Sequence, residues 1–224
     1  MFRPLTLGLF CISLALIAVS CSAGTSAGSP PAAARPAASQ AAPAAPPAVP
    51  GLENGEIPRQ SAEFVVKLTT GQQHLVSEYR GKVLALAFVL TTCPHCQVAS
   101  RTLEKLYEQY RPEGFEVAAA ATNNDAVMLV PDFIQKLGLT FPVGVAPFDA
   151  ACEYLQHPVS QRFTFPRVVF IDRKGIIRAI HPENDNDMFF KEDVQENNMR
   201  QVILSLLRQG RATKAKTSAG KAGS

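Results

Sequence analysis

The chain has 224 residues, of which 46% are hydrophobic and 18% charged, enough for one domain of ordinary size with extensions. The net charge of +3 is unevenly placed: the first 50 residues carry +2 and the last 17 carry +5, leaving residues 51–207 at −4. A mildly acidic folded part excludes a basic nucleic-acid-binding domain, and no run of about 20 apolar residues occurs, which excludes a polytopic membrane protein. The sequence also lacks G-x-G-x-x-G after a strand, G-x-x-x-x-G-K-[ST] and H-E-x-x-H, so nucleotide-binding and zinc-protease chemistry have no anchor.

Arg3 precedes an apolar run from Leu5 to Val19, which ends in Ala18-Val19-Ser20-Cys21. A basic start, a short apolar stretch and small residues before a cut site mark a secretory signal, expected over residues 1–20. The tetrapeptide resembles a bacterial lipobox, with Ala18 where Leu is usual; the resemblance implies that Cys21 is lipidated and becomes the mature N-terminus. Cleavage to a soluble secreted form and retention of the segment as an anchor are the alternatives. Ser22 to Pro50 holds 12 Ala and 7 Pro in 29 residues, a composition that builds no packed core and forbids a long helix. Residues 21–58 therefore read as the lipidation Cys and a semi-extended tether, 59–209 as the folded domain and 210–224 as a disordered basic tail.

Phe64–Leu68 and His74–Val76 flank Thr69-Thr70-Gly71 and predict an N-terminal β-hairpin. Val83 to Leu90 is an unbroken apolar run, the pattern of a strand buried on both faces. From Pro94 the period changes: Cys96, Ala99, Leu103, Leu106 and Tyr110 recur at helical steps, and Pro112 and Gly114 end the helix. Phe115–Ala121 is a second buried strand. A helix ending at Gly138 is expected to carry Pro131 in its first turn. Phe141–Val145 reads as a short strand and Phe148–Leu155 as a short helix. Val168–Ile171 and Ile176–Ile180 form a hairpin around Asp172-Arg173-Lys174-Gly175. A last helix through Met199, Ile203 and Leu207 is stopped by Gly210. The order predicts an α/β domain, a mixed central sheet flanked by helices on both faces with an N-terminal β-hairpin.

Thr92-Cys93-Pro94-His95-Cys96 lies where the buried strand hands over to the helix. There the unpaired N–H groups and the helix dipole stabilise a thiolate at Cys93, the attacking species in disulfide exchange. Cys96, one turn on, is placed to close a disulfide and resolve a mixed one. His95 is a partly cationic neighbour expected to tune the potential. A zinc site lacks partners, since there is no second C-x-x-C and no H-x-x-x-H spacing, and Gln97 rather than His follows Cys96, which excludes haem attachment. Phe165-Pro166, 70 residues after Cys96 at a strand entrance, is a candidate cis peptide or an ordinary trans proline.

These segments resemble the thioredoxin superfamily, nearest to its TlpA/ResA-like (AhpC/TSA-redoxin) branch of exported thiol–disulfide oxidoreductases. The resemblance runs from about Glu63 to Leu207 through Gly81-Lys82-Val83-Leu84, the C-P-x-C helix, Gly114-Phe115-Glu116-Val117, Phe141-Pro142-Val143 and Phe165-Pro166-Arg167-Val168-Val169-Phe170-Ile171-Asp172-Arg173-Lys174-Gly175. It implies a thioredoxin fold, Cys93 as nucleophile, Cys96 as resolving thiol and Pro166 as the cis-proline that shapes the substrate groove. It further implies cysteine-containing exported proteins and a redox partner protein as partners, a membrane-anchored place in the periplasm or cell envelope, and no bound cofactor. Three departures stand out. Thr92 replaces the usual Trp, Ala87 stands where thioredoxins bury an Asp, and Ala99 where ResA-like proteins carry a Glu. Those carboxylates are thought to help move the proton of the resolving thiol. The Pro-His pair resembles that of DsbA-type oxidases, and His95 points toward the oxidising end of the family span of about −270 to −120 mV.

Cys152 reads as a buried small hydrophobe, a second resolving thiol or a partner for another protein. His74, His157 and His181 read as surface or packed residues. Two other activities share part of this pattern. A Sco-like copper protein would use Cys93, Cys96 and His157 or His181, but its family spacing is C-x-x-x-C. A thiol peroxidase would need Pro and Thr where Leu86 and Leu90 stand.

Overall fold

The computed structural model describes residues 56–184 and 187–220, with side chains described to residue 209. The signal segment, Cys21, nearly all of the tether and the last four residues lie outside the described residues. The chain divides into units Met1–Pro43 and Ala44–Ser224, and every described residue belongs to the second.

The elements run in chain order as β1 (Arg59–Gln60), β2 (Val65–Lys67), β3 (Gln73–Leu75), β4 (Val83–Val89), α1 (Pro94–Tyr110), β5 (Phe115–Ala121), α2 (Ala126–Leu137), β6 (Val143–Val145), α3 (Phe148–Leu155), β7 (Arg167–Ile171), β8 (Ile176–His181) and α4 (Gln195–Gly220). They build one mixed sheet of order β1-β8-β7-β4-β5-β6-β2-β3. β4 lies at its centre, parallel to β5 and antiparallel to β7, and all seven of its residues are buried. Successive β4 side chains alternate between faces. Val83, Ala85, Ala87 and Val89 join the core beneath α1, α2 and α4; Leu84, Leu86 and Phe88 join the core beneath α3 and the β2–β3 hairpin. Both faces are covered, which is why the run shows no polar alternation.

The β7–β8 turn ties the far end of the sheet to two helices. Arg173 donates to the Glu113 carbonyl at 2.8 Å, beyond α1, and to the Leu207 carbonyl at 3.0 Å on α4. The Asp172 carboxylate accepts from the Lys174 and Ile176 N–H groups at 2.8 and 3.0 Å and pairs with Arg178. Burial alone would raise its pKa, but these donors outweigh it and hold the carboxyl below its ordinary value.

Two expectations are corrected. Pro131 is interior to α2, which begins at Ala126. A proline there removes the donor for the Val127 carbonyl. That turn faces water, with Val127 56% and Met128 79% exposed, which is the side on which a helix tolerates the loss. Nor does Gly210 stop the last helix: α4 continues to Gly220, through Arg211, Ala212, Lys214, Ala215 and Lys216, all strong helix formers. The element β1, which pairs with β8 at the sheet edge, was not foreseen; two residues carry no periodicity.

Gly144 on β6 faces the Lys67 backbone, and a Cβ at this position would overlap the Lys67 carbonyl. Gly144→Ala is therefore expected to lower stability by about 1–3 kcal/mol, the range for overpacking against atoms that cannot move aside. Urea unfolding beside the parent protein measures it, and an unchanged midpoint would contradict the packing described.

Candidate active site

The site is built on the step from β4 to α1. Cys93 is the N-cap of α1 in extended conformation, and Pro94 occupies the first turn, where its missing N–H is no loss. The connecting residues are held by polar bonds that span three elements. The Thr91 N–H and hydroxyl donate to Asn123 Oδ1 at 3.2 and 3.3 Å, Gln97 Nε2 donates to the Thr91 carbonyl at 3.0 Å, and the Cys93 N–H donates to the Leu90 carbonyl at 3.1 Å. Asn123 follows β5, so the loop before the thiols is tied both to the neighbouring strand and to the helix it feeds.

Cys93 and Cys96 are both free thiols, Cys93 partly exposed and Cys96 fully buried in the same core cluster as Ala87 and Ala99. Burial is the main force on Cys96 and pushes its pKa far above the ordinary 9.0. The Leu90 N–H, 3.5 Å from the sulfur, works the other way, and a hydrogen bond with the Cys93 side chain adds to the rise. Cys96 is thus a protonated thiol in a dry pocket, adjacent to an accessible partner. The nearest buried carboxylate on α1, Glu104, is two turns further on and occupied, accepting from the Thr140 N–H at 2.7 Å and from its hydroxyl.

The Phe165–Pro166 peptide is cis. The β4–β7 register pairs Phe88 with Arg167, which sets Pro166 level with Val89, at the end of the sheet from which α1 departs. The fold therefore brings Cys93, Cys96 and Pro166 to one end. His95 is exposed on the first turn of α1, and its side chain makes no hydrogen bond or ion pair with a described residue.

Cys152 is buried on α3, the helix whose Ala151, Tyr154 and Leu155 join the core on the face of the sheet opposite Cys96. Burial first, then Asp149, raises its thiol to about 11, while Arg167 pulls it down. No other thiol is among its electrostatic neighbours. His157 packs edge-on to Phe163 at 5.1 Å, and His181 stacks on Phe189 at 3.7 Å while bonding Asp187 at 2.9 Å. Among the described residues no three His, Cys, Asp or Glu side chains group as a metal site, so neither histidine joins the Cys93–Cys96 pair.

Sequence reasoning missed the Thr91–Asn123–Gln97 bonding and the buried Arg167, whose guanidinium lies 4.7 Å from the Phe163 ring centre. Arg167 had a visible signal, a cation opening an otherwise apolar strand. The Asn123 bond had none, because it joins residues 32 apart.

The redoxin family pattern matches residues 42–203. The thiol-disulfide oxidoreductase ResA of Halalkalibacterium halodurans is 28% identical over 137 residues, 59% of this chain and 72% of that protein. ResA of Geobacillus kaustophilus is 29% identical over 119 residues, 53% of this chain and just under two thirds, 64%, of that protein. Among solved structures, a putative protein disulfide isomerase from Bacteroides thetaiotaomicron superposes with a TM-score of 0.53 at 26% identity, over 71% of this chain and 94% of that one. A putative thiol:disulfide interchange protein DsbE from Chlorobium tepidum gives 0.53 at 20% identity, over 66% and 95%. The chain belongs to the redoxin family, as a TlpA/ResA-like member of the thioredoxin superfamily, a class of thiol–disulfide oxidoreductases.

The burial of Cys96 has a measurable consequence. Its folded pKa is raised, so the unfolded chain loses the Cys96 proton first as pH rises past about 9, and folding stability falls there. Tyr79 and Tyr154, raised to about 12 by burial, add to the same decline. Cys96→Ser removes only the thiol's part, so its stability is expected to fall less steeply with pH than that of the reduced parent. Parallel slopes in urea titrations between pH 8 and 10 would contradict this.

Proposed function

We propose that the protein exchanges disulfides with cysteine pairs of exported proteins through Cys93 and Cys96. The observation that carries this reading is the asymmetry of the pair: one accessible thiol capping a helix N-terminus, one protonated thiol buried directly behind it. Cys93 thiolate attacks one sulfur of a substrate disulfide, forming a mixed disulfide and releasing the other substrate sulfur as a thiolate. Cys96 then loses its proton and attacks the Cys93 sulfur. The Cys93–Cys96 disulfide forms, the second substrate thiolate leaves, and the protein has given up two electrons. The reverse sequence donates a disulfide.

With Ala87 and Ala99 at the positions considered above, no carboxylate stands there to take the Cys96 proton, and water reaching the opened mixed disulfide is the acceptor in this reading. The cis Phe165–Pro166 peptide, at the same end of the sheet as the thiols, presents backbone to an extended substrate in this reading. His95, exposed beside Cys93, tunes the potential toward the oxidising end. A redox partner protein restores the pair after each turnover, and no bound cofactor is needed. The signal segment and Cys21 give the protein a lipid anchor in the cell envelope, with residues 59–209 as the working domain held off the membrane by the Ala/Pro tether.

Thiol trapping of the full chain across glutathione redox buffers tests the reading, with and without equimolar Cu(I). A reversible two-electron transition between about −270 and −120 mV is expected. Cys93→Ser should abolish exchange, and Cys96→Ser should accumulate the mixed disulfide. A pair that never cycles, or that Cu(I) protects at stoichiometry, would replace exchange by copper handling.

A further inference from the structure

A groove of about 250 Å³ lies beside the thiol pair, between α1 and α2. That is below the roughly 300–1,000 Å³ of sites that enclose a small-molecule ligand, and suits side chains of a crossing polypeptide. Its inner wall includes Thr91 and Gln97, which stand two residues before Cys93 and one after Cys96 and are fixed to each other by the 3.0 Å bond. Leu129 and Phe133 give it apolar surface, and Met128, the next residue along α2 from Leu129, is 79% exposed. Arg101, Asp132 and Lys136 supply its charge. All three are exposed, and their side chains form no ion pair or hydrogen bond with a described residue. Two cations to one anion make the groove positive inside a segment that is −4 overall.

Any disulfide that meets Cys93 in line brings flanking chain with it, and Thr91 and Thr92 make this groove the adjoining surface. An unpaired pair of cations beside apolar surface selects its complement. We infer that the groove docks an extended segment of the protein substrate, next to its reactive cysteine, in which an acidic residue neighbours an apolar one. The inference rests on the exchange reading above and adds the sequence preference of the substrate. The chain's own basic tail is the wrong sign to occupy the site.

Short peptides with the cysteine replaced by serine, flanked by Glu-Leu, Gln-Leu or Lys-Leu, are titrated by calorimetry into the full reduced chain. The Glu peptide should bind about tenfold more tightly than the Lys peptide at low salt, each exposed charge contact contributing about twofold to fivefold. The gap should narrow as salt screens it. Arg101→Glu combined with Lys136→Glu should erase or invert the ratio, while Lys174→Glu, at the far β7–β8 turn, should preserve it. Because the ratio is taken within each variant, a general loss of stability does not imitate the effect. Equal affinities, a ratio that survives the double reversal, or one that Lys174→Glu also erases overturns the inference, as does a signal tracking self-association of the chain. The cysteine forms of the peptides, carried as mixed disulfides with a coloured thiol, separate the two readings. Selective binding without exchange upholds the groove and removes the oxidoreductase reading; exchange without selective binding does the reverse.

Discussion

The chemistry of this protein depends on a chain reversal made in very few residues. β4 is buried on both faces to Val89, and α1 is already helical at Pro94. Between them the backbone must leave a dry sheet, satisfy its polar groups and present one sulfur to solvent. The Thr91 N–H and hydroxyl on Asn123, the Gln97 amide on the Thr91 carbonyl and the Leu90 N–H against the Cys96 sulfur meet that demand. A backbone group left unpaired here would cost about 1–3 kcal/mol, and the turn would have no reason to hold one geometry. The positions of both thiols follow from this junction.

The same junction sets two sulfurs three residues apart in different solvents. Cys96 packs with Ala87 and Ala99 under the helix layer, where charge is disfavoured; Cys93 sits at the rim. Small apolar side chains at both flanking positions complete the dry pocket and place no acid–base group beside the buried thiol. The barrier to releasing its proton is therefore a property of the packing.

Most of the frame was legible from sequence for identifiable reasons. The apolar run of β4, the change of period at Pro94 and the αL glycines Gly114 and Gly138 are strong local signals, and the corresponding boundaries agree closely. Pro131 and Gly210 carry the local signals of a helix boundary, yet both lie inside helices. Helix α2 absorbs its proline on a solvent-facing turn, and the basic residues after Gly210 favour helix. Cys93 and Cys96 stand at the strand-to-helix step that the change of period marks, and the Phe165–Pro166 peptide, which local sequence left open between cis and trans, is cis. The Thr91–Asn123 bond, the burial of Arg167 and the groove between α1 and α2 depend on how distant segments meet, which no local pattern encodes.

The two outermost strands have a bearing on behaviour at high concentration. An exposed sheet edge is a template on which another chain can add hydrogen bonds. Here the sheet terminates in β1, two residues long, and in β3, three residues long, so each rim offers only a stub of free backbone. At the β1 rim Arg59 turns its guanidinium inward to the Tyr154 carbonyl at 2.9 Å, and Gln60 reaches the Gly175 carbonyl at 3.2 Å. Among the described residues, a sheet of eight strands thus finishes blunt on both sides. Copies crowded together have little backbone at these described rims through which to polymerise.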